Sequence, residues 1–118
     1  MFRQAVCWAK RSQQGGLNSF DKLAKAIDSL TQIRMRLIEM RLWTLGEWDY
    51  LKVADRGFAE RLAKTYPHFE PQEVIECAHE LLAAYEYACQ PYCQKAGMVY
   101  PANKVIVLKD LLSAFEHL

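Results

Sequence analysis

The stretch that decides the fold is residues 18–46, NSFDKLAKAIDSLTQIRMRLIEMRLWTLG. It holds no proline, and its only glycine is the last residue. Phe20, Leu23, Ile27, Leu30, Ile33 or Arg34, and Leu37 recur at spacings of three and four, the period of one helix face. Asn18 or Ser19 offers a short polar side chain that can accept from the free N–H groups of a first turn. Gly46 is a natural stop. The spacing therefore predicts one helix from about residue 19 to Leu45. At about 1.5 Å per residue it is about 40 Å long, longer than most globular helices.

Toward the N-terminus, residues 2–13 place Phe2, Val6 and Ala9 on one helical face, with Ala5 and Trp8 beside it. This segment stops at Gln13-Gln14-Gly15-Gly16. Beyond Gly46, Glu47-Trp48-Asp49-Tyr50 is polar and aromatic and reads as a loop or a ragged helix end. A short helix follows from about Asp55 to Tyr66, with Phe58, Leu62 and Ala59 inward. Pro67 to Pro71 is a connection, and proline at 71 suits the first turn of a fourth helix. Val74, Ala78, Leu81, Tyr85, Ala88 and Tyr92 form its stripe, with Ile75, Leu82 and Cys89 alongside. Pro91 lies inside this pattern, where it removes a backbone donor and crowds the preceding turn, so it predicts a kink or a break. After Gly97 and Tyr100-Pro101, a last helix spans about 103–117 and carries Val105, Leu108, Leu111, Leu112 and Phe115. The β-branched run Val105-Ile106-Val107 could open a strand, but the chain offers no second strand to pair with it. The expected fold is all-α, a four- to five-helix antiparallel bundle, with residues 1–118 as one domain.

Composition narrows the function. The chain has 118 residues and is 52% apolar, enough for a modest core, and its formal net charge is +1. That balance argues against disorder and against a dedicated nucleic-acid binder, which carries a basic excess. Apolar runs are as short as Val105–Leu108, so no membrane span is expected, and residues 1–11 have no signal-peptide core. The expected compartment is the cytoplasm. Cys7, Cys77, Cys89 and Cys93 are expected to be buried free thiols. Cys89 and Cys93 share a helix face as half of a metal site would, but no other ligands have finger-type spacing.

Several segments in order resemble the C-terminal helical domain of the streptomycin-type aminoglycoside adenylyltransferases, the aminoglycoside 6-nucleotidyltransferase family. That domain belongs to a helical group with the C-terminal half of kanamycin nucleotidyltransferase and the HEPN domains. Ala26-Ile27-Asp28-Ser29-Leu30, then Gln32-Ile33 and Arg34-Met35, resemble the family's long helix, and Met40, Trp43 and Gly46 resemble its end. Leu62 to Tyr66 resembles a leucine-rich turn closing in Thr-Tyr. His79-Glu80-Leu81-Leu82 opens a region that ends in Tyr100-Pro101, where the family also places a Tyr-Pro. Phe2 to Arg11 looks like the stretch joining the family's two domains. The resemblance implies a substrate-binding half whose catalytic half is absent: nothing matches the family's Gly-Ser turn and Asp-x-Asp pair. ATP and Mg would belong to that absent domain, and no cofactor is expected in this chain.

Two sets of residues are candidate sites. Glu39, Glu47, Trp48, Asp49 and Tyr50, joined by Glu76 and Glu80 four residues apart, combine carboxylates with flat rings. A polycationic sugar such as an aminoglycoside needs both. The plain alternative is a solvated surface. Arg61 and His68, with six residues between them, fit formally the Arg/His pattern of HEPN ribonucleases, with histidine as general acid or base. The plain alternative there is an exposed pair. His79 reads as a core-edge histidine and His117 as a terminal one. Arg34, Arg36 and Arg41 are spread round their helix and are expected to be solvated, with Glu39 as a partner. Three functions follow. The first is a substrate-binding accessory domain acting by binding. The second is a HEPN-like interaction or RNase module paired with a nucleotidyltransferase. The third is a structural homodimerisation bundle, since an apolar stripe left uncovered would meet a catalytic domain or a second copy.

Overall fold

The computed structural model describes residues 2–15, 18–46 and 56–116. Among them the chain is all helix, in the order α1 (Phe2–Gln13), α2 (Ser19–Leu45), α3 (Arg56–Ala63), α4 (Pro71–Ala96) and α5 (Ala102–Glu116). The Val105-Ile106-Val107 run is helical, so the strand alternative does not arise.

Local chemistry explains the ends. Gly46 adopts φ 75°, a left-handed conformation that glycine reaches without strain, and its N–H bonds the carbonyls of Leu42 and Trp43 to close α2. At the start of α4 the Glu70 carboxylate accepts from the N–H groups of Gln72 at 3.0 Å and Glu73 at 2.8 Å, with Pro71 in the first turn. The side-chain cap expected of Asn18 or Ser19 does not form: Ser19 is the first residue of the helix, and Asn18 holds the cap position. Asn18 sits at φ 70° and makes no side-chain cap bond, whereas a capping side chain needs extended backbone at that position. Its carbonyl accepts from Lys22 N–H instead. Pro91 does not break α4, which runs on to Ala96; a missing N–H five residues before the end leaves a single carbonyl, that of Tyr87, without its helical donor.

Each helix reverses on the one before it. Phe2 lies in a hollow beside Ile33 and Leu37, while Lys25 stands over the Trp8 ring, so α1 runs antiparallel to α2. Arg61 stacks on Tyr87 and the Lys64 carbonyl accepts from the Cys77 thiol, so α3 runs antiparallel to α4. Lys109 pairs with Glu86 at 2.6 Å, placing α5 antiparallel to α4, though α5 lies mainly on α1. The two long helices therefore run the same way. Arg34 meets Thr65 just ahead of α4, Trp43 meets Tyr92 with ring centroids 5.1 Å apart, and Lys95 donates to the Trp43 carbonyl.

The core is built on Val6, Leu30, Val74, Ile75, Leu81, Leu82 and Leu112, all without exposed surface or nearly so. Ala5, Ala9, Ala26, Ala78, Ala84 and Ala88 are fully buried as well, and their small side chains let the helix axes approach. Some expected inward residues turn outward. Phe20 is largely exposed and rests on Phe69, Ala59 is exposed, and Leu111 is partly exposed. Helix α5 is apolar on more sides than its neighbours cover: Val105 and Leu112 are buried while Ile106 and Val107 are more than half exposed. The molecule is a slab, 47 × 32 × 17 Å.

Leu81→Ala removes a fully buried side chain from the centre of this core. It is expected to lower unfolding stability by about 2–5 kcal/mol, read as a shifted urea midpoint at unchanged slope.

Candidate functional site

Of the carboxylates and rings proposed as a polycation site, Glu47, Trp48, Asp49 and Tyr50 lie outside the described residues. Glu76 and Glu80 are exposed on α4, one turn apart on one face, and Tyr87 continues that line. Glu39 is exposed on α2 and pairs with Arg36 at 3.2 Å. It stands a half-turn from the buried Leu30–Leu37 stripe, and α4 packs on that stripe, so Glu39 does not share a face with Glu76 and Glu80.

Arg61 and His68 are not brought together. The Arg61 guanidinium lies 4.6 Å from the centre of the Tyr87 ring, which also carries Arg41 at 5.2 Å. Gly57 makes room for this stack, since a Cβ there would stand 2.7 Å from the Tyr87 hydroxyl. His68 is at the other end of α4, where Nδ1 lies 2.8 Å from the Glu73 carboxylate. Glu73 and Tyr87 are separated by fourteen residues of helix, about 21 Å along the axis. An acid–base pair acting on one phosphodiester needs both groups within hydrogen-bond reach of it.

The residues that the sequence left unassigned form the best-built polar joint. Arg34, expected to be solvated, is 6% exposed. Its Nε donates to Thr65 Oγ1 at 2.9 Å, its Nη2 donates to the Thr65 carbonyl, and its guanidinium lies 3.8 Å from the centre of the Tyr66 ring. Among the described residues no carboxylate pairs with it. Burial pushes its pKa down, and the nearby Tyr66 and Cys77 pull it back up. The signal was present: Arg34 falls on the apolar stripe of α2, and a charge at a core position needs acceptors from elsewhere. Beside it a groove of about 310 Å³ is lined by Ile27, Thr31, Met35, Ile38, Tyr66 and Pro67.

The thiols are quiet. Cys77, Cys89 and Cys93 are buried and Cys7 is half-buried, all four free. Cys89 and Cys93 stand Sγ to Sγ at 3.7 Å, and burial pushes the Cys93 and Cys77 thiols up, away from the reactive thiolate. Among the described residues no cluster of three His, Cys, Asp or Glu side chains is arranged to hold a metal ion. No helix among them is long and apolar enough to cross a membrane. No protein-family model matches the chain, and no curated protein or solved structure does.

Thr65→Val leaves the buried Arg34 Nε without its acceptor and is expected to lower stability by about 1–3 kcal/mol. Combined with Arg34→Met, the loss should be smaller than the sum of the two single losses, as denaturation of all four proteins in a double-mutant cycle would read.

The hydrogen bond to Glu73 holds the His68 pKa above its ordinary value, and the same contact holds Glu73 below its own. The folded-state contribution of His68 is therefore present below its ordinary pKa and lost as pH rises through the raised one. That of Glu73 is present above its ordinary pKa and lost as pH falls through the lowered one. NMR titration should find His68 raised, and Glu73→Gln should return it toward the ordinary value.

Proposed function

We propose that this chain is a substrate-positioning helical domain of the aminoglycoside nucleotidyltransferase type, acting by binding. Adenylyl transfer, with its ATP and Mg, would belong to a separate nucleotidyltransferase unit, and the setting is cytoplasmic. The observation that carries the reading is the Arg34–Thr65–Tyr66 joint. Two of the segments on which the resemblance rests, Gln32–Met35 and Leu62–Tyr66, lie some thirty residues apart and bond to each other through a buried guanidinium. Trp43 and Gly46 lie at the close of α2, and Tyr100-Pro101 directly precedes α5, which supports the reading that these segments resemble the family's.

Glu76 and Glu80 are the ligand-facing groups in this reading. Two carboxylates one helical turn apart are spaced to meet two cationic groups on one sugar framework, and their exposure leaves them open to do so. The contacts are solvent-exposed ion pairs, so the affinity they support is modest and falls with salt.

Calorimetric titration with streptomycin tests this. Saturable binding is expected, weakened about 2- to 30-fold when Glu76 and Glu80 are both changed to Gln, since each exposed pair is worth about 0.2–1 kcal/mol. No heat at millimolar streptomycin, or binding indifferent to both substitutions, would sink the proposal.

A further inference from the structure

Helix α2 carries a second apolar stripe besides the one that faces the core. From Phe20 to Leu45 it advances by four, three, four, four, three, four and three residues, close to the 3.6-residue period that keeps a line on one side of a straight helix. The core stripe of Leu23, Leu30 and Leu37 lies about 100° away from it round the axis. Helices α1 and α4 cover the core stripe. Among the described residues the second stripe is bordered by the connection between α3 and α4 and is otherwise open.

We propose that this stripe is the seam of a homodimer in which α2 packs antiparallel on α2 of a second copy. Its spacing is self-complementary under a two-fold axis. Thr31 of one copy meets Met35 of the other, and Ile27 meets Ile38. Farther out Ala24 meets Leu42, and Phe20 meets Leu45. The midpoints of all four pairs fall between positions 32 and 33 or on 33, so the layers share one centre to within about 1 Å of helix rise. The pairs also set large against small: Ala24 takes Leu42, and Thr31 takes Met35. A parallel pair would instead put Ala24 on Ala24 and Phe20 on Phe20, leaving a gap at one layer and crowding another.

The antiparallel register also opposes the two helix dipoles, where a parallel one would align them.

The area is sufficient. Phe20, Met35 and Leu45 are 69%, 58% and 43% exposed, and the adjoining Tyr66 and Phe69 are 61% and 50% exposed. With the half-buried members of the stripe they offer about 600–700 Å² per copy. That is about 1,300 Å² for the pair, inside the range of about 1,200–2,000 Å² typical of stable interfaces. The groove beside Arg34 lies at the two-fold centre, where Met35 of the second copy enters it next to Tyr66. Tyr66 is 61% exposed in the single chain, and a tyrosine buried at an interface centre is a residue type that carries much of the binding energy. This seam is independent of the ligand proposed for α4.

Size-exclusion chromatography with light scattering tests it. The chain has a mass of 13.7 kDa, and a mass of twice that is expected. Met35→Glu should give the monomer mass with unchanged helical circular dichroism, and Thr31→Glu carries the same test should Met35→Glu lose helix. Val107→Glu, on the exposed side of α5, should leave the dimer intact. Under mild oxidation a mixture of Phe20→Cys and Leu45→Cys proteins should form the mixed disulfide dimer, while Phe20→Cys alone should not cross-link. A wild-type monomer at about 100 µM, a dimer that survives a charge at both 35 and 31, or dissociation by Val107→Glu would each overturn the proposal.

Discussion

A guanidinium on the buried face of α2 sets the arrangement of everything after it. Arg34 keeps its charge at any physiological pH, so a place inside the molecule requires acceptors brought to it. The turn that follows α3 supplies them. The Thr65 carbonyl has no helical donor of its own, and the Thr65 hydroxyl points the same way. Tyr66 closes over the flat face of the cation. Once these groups meet, the chain between α3 and α4 is anchored against the middle of α2.

The rest of the packing follows from that anchor. Helix α4 starts six residues later and has the length to run beside α2 to its far end, where Trp43 meets Tyr92 and Lys95 reaches the last carbonyls of α2. The two long helices are therefore parallel, with α3 as the return between them. Alanines on α1, α2 and α4 let these helices close up, and the leucines on either side fill the remaining volume. The result is a slab rather than a round bundle. A slab leaves long helices with a side to spare, which is why α2 has an apolar stripe beyond the one its neighbours use.

Much of this was legible in local chemistry. The absence of proline and glycine over residues 19–45, with glycine at 46, bounded α2 closely. Pro71 and Gly97 did the same for α4, because first-turn proline and a left-handed closing glycine act within a few residues of themselves. The core stripes of α1, α2 and α4 were likewise readable from their period. The candidate site was less legible. Glu76 and Glu80 share a face because four residues is nearly one turn, while the packing of α4 is what leaves that face exposed. Glu39 was grouped with them by residue type, and only the packing of α4 on the opposite side of α2 separates it.

What the sequence alone determined about this protein is its helices, most of their buried faces and the shared face of Glu76 and Glu80 on α4. The tertiary structure decided which polar groups meet. Arg34 found Thr65, Arg61 found Tyr87, and His68 found Glu73 rather than Arg61, across separations that no helical period connects. It also decided that Phe20 faces outward on Phe69 although it continues the helical spacing. The physical reason is range. Capping, turn chemistry and amphipathic period act over one or two turns of chain. The desolvation of a charge and the area of a face left uncovered depend on every element that packs against it.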